Sequence, residues 1–220
     1  MIPLTDHLLC EEASKFSYAE SHHSELSIYG VSDGKAIGTY LEHKFMAHLK
    51  SRYIFEEGSS ASGIDFPGLL VDMKVTSITQ PQSSCPFRSA RQKIYGLGYS
   101  LLIFVYNKSD NHIDQTGSLH ILQTIFVSAN KTADFQTSRG IRTILANEGN
   151  RDDLIAFLLE RNLPIDEIEA ARIADEILRN SPEQGYLTIS NALQWRLQYS
   201  RVIERAGFED GILAVYRSHP

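Results

Sequence analysis

The chain has 220 residues, 42% hydrophobic and 22% charged, enough apolar material for a sizeable core and a balance unlike that of disordered chains. Twenty-one basic residues against 27 acidic ones leave a net charge of −6, which excludes a surface coated for indiscriminate nucleic-acid binding. The longest apolar run, Ser100-Leu-Leu-Ile-Phe-Val-Tyr106, is far shorter than the ~20 residues of a membrane helix. The N-terminus also lacks the features of a signal peptide, so a cytoplasmic protein with no membrane partner is expected.

In chain order, residues 1–30 carry no clear period. Helical spacing of Ala36, Ile37, Tyr40, Leu41, Phe45 and Leu49 predicts a helix over 35–51. A short strand follows at 52–55, then a turn-rich loop. The Pro67-Gly68 turn signal separates a strand near 63–65 from one at 69–76. A loop with two prolines leads to a helix at 88–97. Strands follow at 100–106 and 119–128, then a helix at 132–146. Beyond residue 150 the pattern turns helical, over 151–162, 165–180 and 188–206, before a last strand at 212–216. These patterns predict an α/β core over 1–150, including an N-terminal extension, and a helical subdomain over 151–220. Cys10 and Cys85 are too few and too isolated for a disulfide framework.

The most informative segment is Gly63-Ile-Asp-Phe-Pro-Gly-Leu-Leu-Val-Asp-Met-Lys-Val-Thr-Ser77. Asp72 and Lys74 stand two apart in a strand, so their side chains leave one face. Burying such charges among apolar neighbours is costly unless they are paired. If the Pro-Gly turn makes a hairpin, Asp65 returns beside Asp72. Two carboxylates and a lysine at a strand edge suit Mg²⁺-dependent phosphodiester hydrolysis. The hard ion takes a few carboxylate oxygens, and the lysine meets the attacking water.

Asp65, six intervening residues, then Asp72-Met-Lys74 resembles the PD-(D/E)xK nuclease superfamily, which includes most type II restriction endonucleases. Ile64 stands where the name-giving proline would be. The order helix, three strands, helix, strand over residues 35–106 matches the core of that superfamily, and the resemblance covers roughly residues 35–128. It implies a restriction-endonuclease-like mixed sheet flanked by helices. It also implies metal ligation by Asp65 and Asp72, water activation by Lys74, and Mg²⁺ as the cofactor, with Mn²⁺ able to substitute and no organic cofactor. Glu42, on the first core helix, matches the acid that such enzymes often use to complete the site; the alternative is an exposed acid paired with a nearby lysine. Cutting both strands of a palindrome implies a homodimer acting on double-stranded DNA.

Two regions offer DNA contacts. Between Met73 and Ser109 lie five basic residues and no acidic one. Arg88, Arg91 and Gln92 share a helix face directly after the candidate strand, suited to clamping phosphate or to being a solvated surface. Gln80, Ser83 and Ser84 belong to a polar loop able to reach bases or phosphates. Helix, turn, helix and strand over 170–216 has the outline of a winged helix. Its last helix carries Asn191, Gln194, Arg196, Gln198 and Arg201, side-chain types that read base edges; plain helical packing is the alternative. His22-His23, the pair His43 and His48, Gly96-Leu-Gly98 and Trp195 give no pattern with comparable chemistry.

A site-specific endonuclease is therefore expected. The competing readings are a repair or structure-specific nuclease of the same superfamily and a winged-helix regulator without catalysis.

Overall fold

The computed structural model describes residues 1–58, 63–85, 88–161, 163–190 and 195–218. In chain order the elements are β1 (Ile2–Pro3), α1 (Asp6–Ser21), β2 (Ser24–Glu25), α2 (Gly34–Lys50), β3 (Tyr53–Ile54), β4 (Val71–Ser77), β5 (Gln82–Cys85), α3 (Arg91–Tyr95), β6 (Ser100–Asn111), β7 (Thr116–Val127), α4 (Phe135–Ala146), α5 (Arg151–Glu160), α6 (Glu167–Arg179), β8 (Thr188–Ile189), β9 (Trp195–Gln198), α7 (Ser200–Arg205) and β10 (Ile212–Arg217). No helix among the described residues is long and apolar enough to cross a membrane.

Strands β10, β7, β6 and β4 form a mixed sheet in that order, with β2 also paired to β7. β4 runs parallel to β6, setting Asp72 opposite Leu101 and Lys74 opposite Ile103. β7 is antiparallel to β6 and to β10. β4 is thus the edge of the sheet.

The apolar run of β6 is buried because both of its faces are covered. Leu102, Phe104 and Tyr106 pack with Leu9, Phe16, Leu41 and Phe45 of α1 and α2. Leu101, Ile103 and Val105 pack on the opposite face with Trp195, Leu197, Tyr199 and Val202. A third apolar cluster joins α3 to α6 through Ile94, Ile141, Leu154, Leu158, Ile173 and Ile177. Helix α2 starts where the Asp33 side chain accepts from the Lys35 backbone N–H, and it buries Ile37, Leu41, Phe45 and Leu49 on one face.

Helix α1 left no apolar period to read, because its buried face includes Glu12, Ser17 and Glu20. Each finds a partner far along the chain: Glu12 meets His48 and Tyr53, Ser17 meets Thr124, and Glu20 meets Tyr40 and Lys44.

The helix expected over 188–206 is a misreading, and with it goes the winged-helix outline. In its place stand β8, β9 and the six-residue α7. β9 lies between β8 and β5 in a second, three-stranded sheet. Trp195-Arg-Leu-Gln198 alternates strictly between buried and exposed residues, the period of a strand and not of a helix. Likewise the helix expected over 88–97 is confined to Arg91–Tyr95, and Gln82–Cys85, read as loop, is β5.

Glu12 makes a stability test. Its carboxylate accepts from Lys15 Nζ (2.8 Å) and Tyr53 Oη (3.3 Å) and lies 2.7 Å from His48 Nε2. Burial favours the protonated form, but the hydrogen bonds and charges of Lys15 and His48 prevail and hold the carboxyl below its ordinary 4.5. A carboxylate depressed by folding stabilises above its unfolded pKa, and that contribution fades as pH falls through the folded value. Glu12→Gln is therefore expected to cost about 1–3 kcal/mol at neutral pH. In urea melts the variant and the parent should converge below pH 4.5; a gap that stays constant into acid would count against this linkage.

Candidate active site

The segment before β4 is folded back onto its free edge. Phe66 and Val71 exchange two backbone hydrogen bonds, 2.9 and 3.2 Å, around the Pro67–Leu69 turn. This short hairpin brings Asp65 beside β4, where its Oδ2 accepts from the Met73 backbone N–H at 2.7 Å. Gly58 fixes the other side of the segment, its N–H donating to the Asp65 carbonyl at 2.8 Å. A Cβ at residue 58 would stand 1.9 Å from the Ile64 carbonyl oxygen, so only glycine permits that approach.

Met73 points into the apolar core beneath α2, which turns Asp72 and Lys74 to the opposite face. Asp72 is 4% exposed, and Lys74 Nζ lies 2.6 Å from its Oδ2. Burial drives the Asp72 pKa upward, with the Asp65 carboxyl adding to the rise and Lys74 opposing it. Burial disfavours the Lys74 ammonium, but Asp72, Asp65 and Glu42 outweigh it and hold its pKa above the ordinary value. Glu42 is half-buried on α2; its pKa is raised by burial and by Asp65, against the pull of Lys74 and His43. The four expected residues therefore form one electrostatic group. Among the described residues, no three His, Cys, Asp or Glu side chains form a ready-made metal cluster.

Glu42 and Lys74 open into a cleft of about 1090 Å³, also lined by Lys35, Gln80, Gln82, Ser83, Ser84 and Arg196. The expected DNA contacts divide sharply. Gln80, Ser84 and Arg196 are exposed on this cleft, and Gln198 is exposed two residues along β9. Ser83 lines it too, although its hydroxyl bonds to Tyr199 Oη. Arg88 lies beside Gly63, close to the Asp65 segment.

Arg91 is not brought to the cleft. Its guanidinium is held by Glu176 at 2.6 and 2.7 Å and by Glu169 at 2.5 Å, joining α3 to α6. Gln92 is buried, accepting from the Arg88 backbone N–H and donating to the Leu97 carbonyl. Arg201 stacks 3.7 Å over the Phe135 ring and bonds to Thr188. Asn191 and Gln194 lie outside the described residues. Gly58, which no sequence motif singled out, is the positioning residue the sequence reading missed. Its only signal was a glycine in the turn-rich loop before Asp65.

A mixed sheet flanked by helices, with an acid and a lysine on its edge strand and a second acid folded against it beside a polar cleft, is compatible with the architecture of restriction-endonuclease-like nucleases. The family model described as "Type II restriction enzyme NspV" matches residues 3–214. The type II restriction enzyme NspV of Nostoc sp. (strain ATCC 29411 / PCC 7524) is 71% identical over 220 residues, covering the whole of both chains. No solved structure matches the chain. The chain belongs to the NspV family of type II restriction enzymes; it is a site-specific DNA endonuclease, as expected, rather than a non-catalytic regulator.

Gly58→Ala should displace the Asp65 segment while leaving the central sheet paired. An active-site shift of about 1 Å can cost about 100-fold in rate. Steady-state cleavage by Gly58→Ala is expected to show a loss of that order in kcat with an unchanged circular dichroism spectrum; wild-type kcat would refute the positioning role.

Proposed function

We propose that the chain hydrolyses double-stranded DNA at the Asp65–Asp72–Lys74 group, with Glu42 completing the site, in the manner of the PD-(D/E)xK nucleases and with Mg²⁺ as cofactor. The observation that carries this reading is the Asp65 carboxylate pinned to the Met73 N–H of β4, beside the buried Asp72 paired with the Lys74 ammonium. Two neighbouring carboxylates resist being ionised together unless they share a proton or a cation. That donor set fits a hard divalent ion, which takes one or two carboxylates and keeps several waters. Asp65 and Asp72 would hold the ion, with Glu42 reaching it directly or through water, and Mn²⁺ would serve in its place. When bound, the metal makes a water more acidic and neutralises charge on the phosphate.

The chain's own groups do the rest. Lys74 donates a hydrogen bond to the attacking water, orienting it, and sets positive charge beside the phosphate as negative charge develops there. Asp72 holds that ammonium in place. Asp65, with one oxygen fixed by the Met73 N–H, would keep its other oxygen for the metal. A two-fold homodimer supplies one such site to each strand of a palindrome, so light scattering should give twice the chain mass of 24.7 kDa.

The test is cleavage of a long, unmethylated, mixed-sequence duplex. Discrete bands are expected with Mg²⁺ and intact DNA with EDTA. Asp72→Ala and Lys74→Ala should each lower the rate by about 100-fold or more while retaining DNA binding in a gel shift. Cutting in EDTA, or near wild-type cutting by either variant, would defeat the assignment. Binding should also weaken steeply with salt, as phosphate contacts release counterions.

A further inference from the structure

The small sheet of β5, β9 and β8 has two unlike faces. Cys85, Ile189, Trp195 and Leu197 are buried in the apolar core below it. The opposite face is polar. Along β5 the outward residues are Gln82 and Ser84; along β9 they are Arg196 and Gln198. The register sets them side by side, Gln82 against Gln198 and Ser84 against Arg196. Arg196 makes no ion pair with any described residue, unlike Arg91, which two glutamates hold.

This sheet is also firmly mounted. The buried Asp134 carboxylate accepts from the Ile189 N–H (2.9 Å) through one oxygen, while the other caps α4 through Thr137 (2.9 Å). Tyr199 donates its N–H to the Pro81 carbonyl (2.8 Å), and its hydroxyl meets Ser83. Thr76 Oγ1, on the strand of Asp72 and Lys74, accepts from the Gln82 N–H at 3.0 Å. The polar face is therefore continuous with the cleft that holds Glu42 and Lys74.

We infer that this face is the base-reading surface of the enzyme: Arg196 and the Gln82–Gln198 pair contact base edges in the major groove of the duplex. The inference rests on the reading of the cleft as a DNA-cleaving site and adds where its sequence preference comes from. A two-stranded ribbon fits the major groove. A guanidinium there reads guanine bidentately, and a carboxamide reads adenine. Rigid strands suit this task because discrimination requires donors held in fixed places. The partner chemistry is duplex DNA because the face opens into the candidate cleavage cleft and offers amides, a hydroxyl and a cation without a carboxylate.

A duplex pool with a randomised central window is cleaved with Mg²⁺, and the ends are sequenced. Wild type should yield one motif. Arg196→Ala and Gln82→Ala should each relax at least one position of it, by about 10- to 100-fold in preference, with the other positions kept. Arg196→Lys, which keeps the charge and loses the bidentate fork, should relax the same position as Arg196→Ala. Where a variant no longer cuts, the same pool is sorted by binding, using Asp72→Ala as the reference and the double variant as the test, with melting temperature as the check on folding. Relaxation in either format supports the assignment. A variant that folds and keeps every position of the motif, with uniformly weaker binding or none lost, overturns it and makes Arg196 a phosphate contact or a bystander. A motif selected by binding without any metal-dependent cleavage would leave the reading face standing and defeat the proposed chemistry alone.

Discussion

Asp72 and Lys74 sit on a strand whose neighbouring side chains are apolar, and either charge alone would be costly there. Their 2.6 Å pair is what allows β4 to hold both charges in that setting. Much of the surrounding structure answers the same demand. β4 must lie at the sheet edge so that Asp65 can occupy its free backbone N–H. The tight turn before Val71 and the close approach at Gly58 then hold Asp65 against it. α2 covers the opposite face of the strand and brings Glu42 to its rim.

The long strand β6 supports this arrangement from behind. Its alternating side chains are shared between two cores, one with α1 and α2 and one with the small sheet. Neither core can shift far without disturbing β6, because packed interiors resist changes in volume. The candidate catalytic strand and the polar sheet are thus referenced to the same element.

Local signals were legible in the sequence where the forces are local. α2 showed its 3.6-residue apolar stripe, β6 its unbroken hydrophobic run, and the Pro67-Gly68 turn placed Asp65 beside Asp72. The sequence failed where partners are distant. α1 hid because Glu12, Ser17 and Glu20 face inward toward residues up to 107 positions away. Arg91 read as a phosphate clamp because its glutamate partners lie 78 and 85 residues on. Residues 195–198 alternate with period two, but Ile189, Leu193 and Leu197 also fit a helical step of four. The pairing with β5, more than a hundred residues upstream, and with β8 decides for strand.

The corner between β4 and β5 has a mechanical meaning. Only residues 78–81 separate Ser77 from Gln82, and Thr76 clasps the two strands together across that span. A lever this short and this tightly fastened transmits displacement with little slack. On the proposed reading, a duplex of the wrong shape pressed against the small sheet would be felt at Lys74 through this corner. Selectivity would then act at the moment of scission as well as at docking, because the two ends of one short piece of chain cannot be moved independently.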